Sequence, residues 1–467
     1  MTARAGTAEE PLRVAVVGAG PAGYYAADHL FRQQTAVVAV DLFDRLPTPF
    51  GLVRAGVAPD HQKIKSVTAA FDKVAAHPRF RFYGGVEFGR DVPVEDLRRH
   101  YHQILYSTGA QTDRRMGIPG EDLRGSHAAT EFVAWYNGHP DYRDRQFDLS
   151  QERAAVVGVG NVAIDVARIL CRSPEELATT DIADYALDAL RKSRVKEVYL
   201  LGRRGPAQAA FTNPEIKELG ELADADVSAL PAEVELDELS RAALERSPDR
   251  ATQKKVEILR EYARRAPTGR SKRLILRFLV SPVELRGGDA GEVVAMRLVQ
   301  NTLQATATGA LQARPTERFE ELPVGLVFRS VGYRGVPLPG VPFNDSWGVI
   351  LNERGRVLDP ETRQPRVGEY TAGWIKRGPT GVIGTNKPDA AETVACMLED
   401  LGQGRLLHPD EPDPAAAERL VRARQPGYFS YADWLRLDAL EVARGRLAGR
   451  PRVKFASVEE MRAALDR

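Results

Sequence analysis

One pattern constrains the fold more than any other, and it occurs twice: an apolar strand, a glycine turn and a helix in immediate succession. The first copy runs through residues 12–17, then Gly18-Ala19-Gly20-Pro21-Ala22-Gly23, then a helix to about Phe31. The second runs through residues 154–157, then Gly158-Val159-Gly160-Asn161-Val162-Ala163, then a helix to about Cys171. A GxGxxG spacing alone is a weak signal; set between strand and helix it becomes specific. Gly18 permits the sharp turn, Gly20 lets a pyrophosphate approach the backbone, and Gly23 lets helix and strand pack closely. Free N–H groups and the helix dipole then favour a bound anion. Two copies predict an α/β protein with two doubly wound, Rossmann-like dinucleotide-binding domains.

The two sites differ at the end of the following strand. In the first, Asp41 and Asp44 follow residues 37–40, and Asp44, the later of the two, precedes the turn at residues 47–51. A carboxylate there is placed to accept from ribose hydroxyls. In the second, residues 198–201 end in Gly202-Arg203-Arg204 with no carboxylate. Paired guanidinium donors match a 2′-phosphate, which predicts NADP(H) rather than NAD. Two different nucleotides on one chain imply chemistry between them. Nicotinamide supplies a hydride, and the usual acceptor in such a pairing is FAD on the first site.

Strands at residues 104–106 and 326–330 each end in a tight turn, and these turns are read as the crossings between domains. The NADP domain (residues 113–332) is thus expected as an insertion into an FAD domain made of residues 1–112 and 333–467, with a C-terminal extension from about residue 403. Residues 172–194 read as helical, 217–265 as helix plus loops, and 274–302 as antiparallel strands. The tail ends in helical patterns at 431–444 and 458–465. Cys171 and Cys396 are far apart, form no CxxC pair and are too few for a metal or iron–sulfur site, so they read as buried structural thiols in a reducing compartment. No metal is expected. A formal net charge of +1 gives no global attraction to nucleic acid or a membrane surface. The first apolar run is too short to span a bilayer and follows Glu9 and Glu10, so a soluble, cytoplasmic protein is expected.

Several longer stretches resemble the ferredoxin–NADP reductases of the adrenodoxin reductase type, especially the actinobacterial-type members. They are Pro47-Thr48-Pro49-Phe50-Gly51-Leu52-Val53-Arg54, Gly56-Val57-Ala58-Pro59-Asp60-His61, Asn161-Val162-Ala163-Ile164-Asp165-Val166-Ala167-Arg168, Gly202-Arg203-Arg204-Gly205-Pro206, and the run from Gly373 and Trp374 to Asn386. The resemblance covers about residues 12–400. It implies FAD contacts at Ala22, Asp44, Leu52, Phe88, Trp374, Gly381, Val382 and Ile383. It implies NADP contacts at Val159, Gly160, Asn161, Val162, Arg203, Arg204, Glu215 and Gly381. His61 and Glu218 match a polar pair near the flavin, often given a proton-handling role. The implied activity is NADPH:ferredoxin oxidoreduction, with a ferredoxin-type iron–sulfur protein as partner. Three features depart from the family: Asp44 stands where Glu is more usual, Asn213-Pro214 precede Glu215, and the tail beyond about residue 403 exceeds the shorter members.

Read on its own residues, Trp374 follows Gly373 where many two-dinucleotide flavoproteins carry Gly-Asp, and its ring could stack on an aromatic system and exclude water. His61, in a Pro-Asp-His turn, reads equally well as a loop residue; a positioning or proton role suits it, because hydride transfer needs orientation more than acid–base help. A ferredoxin surface is sought in the basic run of residues 249–277, where ten basic side chains stand against three acidic ones. The rivals are another NADPH-dependent flavoprotein reductase and a non-catalytic NADP(H)-binding sensor. The lack of a redox dithiol argues against a disulfide reductase.

Overall fold

In the computed structural model, which describes residues 5–466, the two glycine turns open two separate sheets. The first sheet has seven strands, in the spatial order Asn352–Glu353, Arg356–Leu358, Pro365–Thr371, Gln103–Tyr106, Leu12–Val17, Val38–Asp44 and Phe80–Gly84. Every residue of Leu12–Val17 is buried, as a central parallel strand covered on both faces requires. Its neighbours on both sides run parallel, with Leu12 opposite Val38 and Val14 opposite Gln103. The second sheet has six strands, all parallel, in the order Ser126–Ala128, Leu326–Arg329, Arg153–Val157, Glu197–Leu201, Lys272–Arg277 and Ala225–Ala229. It lies wholly between chain segments that build the first, so one doubly wound domain is inserted into the other. Where the chain passes out and back, Thr112–Asp113 pairs antiparallel with Tyr333–Arg334.

Two segments differ from the sequence expectation. Residues 274–277 belong to a strand of the parallel sheet, not to an antiparallel run. The antiparallel sheet begins only after Leu279, whose positive φ of 56° turns the chain, and consists of Val280–Gly287, Val293–Ala305 and Leu311–Pro323. Apolar/polar alternation cannot separate the two pairings, because both strand types share a period of two. Within residues 217–265, Ala225–Ala229 forms an edge strand. Its sequence, Ala-Asp-Val-Ser-Ala, holds a single β-branched residue and is flanked by charged helices, so it carries little strand signal.

The C-terminal segment is built into the fold. Tyr431–Leu447 sends Trp434 edge-on against Phe50, with ring centroids 5.7 Å apart, and Glu441, which is fully buried, accepts from Arg54 at 2.8 Å. Lys454 donates to the Asn137 carbonyl at 3.0 Å and stands 3.4 Å from Asp181, which also pairs with Lys65 at 2.7 Å. This tail therefore ties the inserted domain to the first. Among the described residues no helix is long and apolar enough to cross a membrane.

The basic run of residues 249–277 is not a bare positive face. Lys254 pairs with Glu257, Arg260 with Glu235, Arg265 with Glu261, Arg273 with Glu197, and Arg277 with Glu233 and Glu320. Lys255, Arg270 and Lys272 donate to backbone carbonyls. Several partners (Glu197, Glu233, Glu235 and Glu320) lie outside the run, which is why counting charge along the chain overstated it.

Candidate functional site

At the first turn the glycines divide their work sterically. Gly18 has φ +109°, and a Cβ there would lie 2.6 Å from the Ser107 carbonyl oxygen. A Cβ on Gly23 would lie 2.4 Å from the Gly18 carbonyl oxygen, so helix and strand are packed as closely as the motif requires. Gly20 is different: its φ is an ordinary −84°, and a Cβ there would meet nothing within 4 Å. The backbone tolerates a side chain at Gly20, and the space beside it is open, at the N-terminus of the twelve-residue helix Pro21–Arg32. That is the cradle a pyrophosphate fits.

The choice between Asp41 and Asp44 resolves on contacts. Asp41 is buried between Arg13 (2.7 Å), Arg81 (2.8 Å to Nε) and the Tyr101 hydroxyl (2.6 Å), and serves the core. Asp44 accepts the Ala19 amide at 2.8 Å and the Leu46 amide at 2.9 Å, one on each carboxylate oxygen, so it closes the glycine turn and keeps a free lone pair on each oxygen. Burial raises its pKa above the usual carboxylate range, against the pull of those two amides. Ribose hydroxyls would be further donors to the same group. Phe50, held at φ 82°, bonds back to the Ala19 carbonyl, and Leu52 begins the short helix Leu52–Ala55 beside it. At the end of Pro365–Thr371, Gly373 (φ 80°) comes so near the first helix that a Cβ would lie 2.6 Å from that of Ala22. Its amide donates to Asp389, an acid that arrives from the following helix and not from the strand end. Trp374 lies against Tyr333, with centroids 5.4 Å apart, and donates Nε1–H to the Thr380 carbonyl at 3.1 Å. Gly381 has φ 78°, Val382 is half exposed, and Ile383 opens a single helical turn. Phe88 packs on Tyr106, 5.5 Å between centroids.

The second turn repeats the arrangement. Gly158 has φ +131°, with a Cβ position 2.1 Å from the Ser330 carbonyl oxygen, while a Cβ on Gly160 meets nothing within 4 Å. The Val159 carbonyl accepts from Ala210 (2.9 Å) and Phe211 (3.0 Å), and Asn161 Oδ1 accepts from Thr212 (2.9 Å). Val162 packs against the domain core. Arg203 and Arg204 line a cavity of about 360 Å³ and, among the described residues, neither pairs with a carboxylate. Burial, and then the neighbouring Arg203, lowers the pKa of Arg204. Two like charges held together without a counter-ion suit a doubly charged phosphate.

The segment that leaves this turn runs into the helix Asn213–Leu219, where Pro214 sits in the first turn, as its missing N–H allows. That helix carries Glu215 and Glu218 to the first domain. His61 Nε2 lies 2.8 Å from Glu218 Oε2, so the two residues singled out in the sequence do meet, across the domain boundary. Glu215 points into the same cluster, 3.9 Å from His61 and 3.3 Å from Arg168, and not toward Arg203 and Arg204. The residue that organises the cluster is Arg168, which sequence reading passed over. It is fully buried and donates to Asp60 (2.7 Å) and Asp165 (2.7 Å). Burial alone would raise Asp60, but its hydrogen bond and charge contact with Arg168, aided by Arg172, hold it well below the usual carboxylate range. Glu215 is raised, by burial first and then by repulsion from Asp165. Asp60, Asp165 and Arg168 all stood within motifs that carried the resemblance; pattern alone did not show that they meet.

Cys171 and Cys396 are both buried and unpaired, on different helices, and burial pushes the Cys171 thiol up to about 12. Neither is a reactive thiolate.

Residues 12–211 match the model of the family described as pyridine nucleotide-disulphide oxidoreductase. The NADPH-ferredoxin reductase FprA of Mycobacterium tuberculosis is 46% identical over 461 residues, covering 97% of this chain and 98% of that one. The mitochondrial NADPH:adrenodoxin oxidoreductase of Homo sapiens is 42% identical, covering 97% and 92%. A solved structure of M. tuberculosis FprA in complex with NADPH superposes with a TM-score of 0.92 at 45% identity, over 98% of this chain and all of that one. Coverage this complete includes the C-terminal segment, so the similarity does not stop near residue 400, contrary to the sequence expectation. The chain belongs to the family of FAD- and NADP(H)-dependent NADPH–ferredoxin reductases that includes FprA and adrenodoxin oxidoreductase.

Proposed function

We propose that this protein takes electrons from NADPH and passes them singly to a ferredoxin-type iron–sulfur protein. The observation that carries the reading is the pair of open cradles at Gly20 and Gly160, on two domains joined at the His61–Glu218 contact. A bound flavin supplies the exchange between a two-electron hydride and single electrons. The chain supplies placement. Gly18, Gly20, Ala22, Gly23 and Asp44 hold the pyrophosphate and ribose of FAD, while Leu52, Phe88, Trp374, Gly381, Val382 and Ile383 border its ring system. Val159, Gly160, Asn161 and Val162 hold the coenzyme pyrophosphate, and Arg203 and Arg204 its 2′-phosphate. Glu215, drawn into the Arg168 cluster, positions the NADP domain and need not touch the coenzyme. The paired crossing strands support domain boundaries near residues 112/113 and 332/333. Two buried, unpaired cysteines fit a reducing, cytoplasmic setting.

The test is an absorption spectrum of the purified protein before and after anaerobic NADPH, followed by ferredoxin-coupled cytochrome reduction. A yellow protein bleached by NADPH and active in the coupled assay is expected; a colourless one would leave only the sensor reading.

His61 and Glu218 act on this reading as a positioning and proton-holding pair. His61→Gln keeps a donor and bulk but not the imidazole. It is expected to slow flavin reduction by NADPH by less than the roughly hundredfold at the low end of acid–base contributions, because hydride transfer needs orientation more than proton transfer. Stopped-flow absorbance checks this; a loss beyond a hundredfold would make His61 essential to the chemistry.

A further inference from the structure

The loop that carries Arg203 and Arg204 is fastened one carbonyl at a time. The Gly202 carbonyl accepts the Val280 amide at 3.1 Å, and the Arg204 carbonyl accepts the Leu279 amide at 3.1 Å. The carbonyl between them, that of Arg203, has no backbone donor among the described residues and is taken at 2.9 Å by the side-chain amide of Asn301. Asn301 is buried, at 4% exposure, and reaches the loop from the middle of the antiparallel sheet. Three features aim it there. Its own amide bonds the Leu279 carbonyl at 2.6 Å, and its Nδ2 also bonds Ser281 Oγ at 2.8 Å. The pairing of its strand with Leu311–Pro323 breaks at this position, jumping from Val299–Phe319 to Asn301–Pro315. Such a break redirects a side chain out of the regular ladder. Asn301, Ser281, Val299 and Pro315 then line the same cavity as the two arginines.

We infer that Asn301 is a positioning residue for coenzyme choice: through the Arg203 carbonyl it holds the guanidinium pair where a 2′-phosphate is met. This inference rests on the reading of Arg203 and Arg204 as the phosphate site. It assigns a task to the three-stranded antiparallel sheet, which packs on the parallel sheet and holds neither glycine turn. The sheet buttresses the specificity loop, and Asn301 is its point of contact. A carboxylate at the same place would repel the Arg203 carbonyl and offer the arginines an internal counter-ion, in competition with phosphate.

The experiment uses the flavin-loaded, full-length protein and measures KM and kcat with NADPH and with NADH, a small dye being the acceptor. For Asn301→Ala we expect KM for NADPH to rise three- to tenfold, with kcat, the NADH constants and flavin content unchanged. For the isosteric Asn301→Asp we expect a larger rise, again confined to NADPH. A merely structural role would move both coenzymes together, and that result in both variants overturns the inference. Replacing Arg203 and Arg204 together separates it from the reading beneath. If the double variant loses NADPH preference while Asn301→Ala and Asn301→Asp keep it, the assignment of Asn301 fails alone. If the double variant keeps it, the phosphate site lies elsewhere and both fail.

Discussion

Gly20→Leu is expected to give a folded protein that purifies without flavin. The expectation rests on an asymmetry within the first turn. At Gly18 or Gly23 an added Cβ would strike backbone at 2.6 or 2.4 Å, so substitution there would damage the fold and prove nothing about a ligand. At Gly20 the backbone is in an extended conformation open to any residue, and a Cβ meets no protein atom within 4 Å. On the proposed reading, what a leucine side chain meets there is the pyrophosphate, brought close by the turn. Excluding it should weaken FAD binding by on the order of a hundredfold, about 2.8 kcal/mol, enough to strip the cofactor during purification. Circular dichroism and thermal unfolding of the variant should match those of flavin-free wild type. A variant that retains a full flavin spectrum would place the pyrophosphate elsewhere.

Replacing Arg203 and Arg204 together with glutamine should remove most of the preference for NADPH. Hydrogen bonds to charged groups contribute about 1.5–3 kcal/mol each, and one decade of affinity is about 1.4 kcal/mol. Two lost contacts therefore predict a fall of on the order of a hundredfold or more in the ratio of kcat/KM for NADPH to that for NADH. NADH itself should be handled as before or slightly better, because Arg204 is lowered by burial and by Arg203, and relieving that crowding costs nothing when no phosphate arrives. The wild-type preference should weaken with salt, since the contact is between full charges. An unchanged ratio in the double variant would show that other residues hold the phosphate.

The parts of this protein legible from its sequence are those where a local conformation demands a particular residue. Gly18 and Gly158 must adopt positive φ, Gly20 and Gly160 must leave room, and Arg203-Arg204 must follow a strand; each demand is met within a few positions of chain. The parts that stayed hidden are those created by contacts distant in sequence. Strand position alone offers Asp41 beside the expected Asp44, and only the contacts with Arg13, Arg81 and Tyr101 show that the core claims Asp41. Arg168 carries no sign of its role in the sequence, because Asp60 lies 108 positions away along the chain. The basic run at 249–277 looked bare because its neutralising acids come mostly from other segments. The strand Ala225–Ala229 stays ambiguous for a different reason: an edge strand need not be apolar, so its own composition says little.

The insertion of one domain into the other has a consequence for how the chain is made. On the ribosome the inserted sheet, residues 126–329, is contiguous and can close as soon as its last strand, Leu326–Arg329, has emerged. The outer sheet cannot, since the strand beside Gln103–Tyr106, Pro365–Thr371, is synthesised about 260 residues later. At 5–20 residues per second that interval is roughly 13–50 s. Throughout it the strand Gln103–Tyr106, which is fully buried in the finished sheet, presents an unpaired edge, the kind that recruits other chains. Folding order during synthesis thus runs inside out: the NADP unit is complete while its host is still half a sheet. It is during that interval that nascent chains would meet one another's open edges.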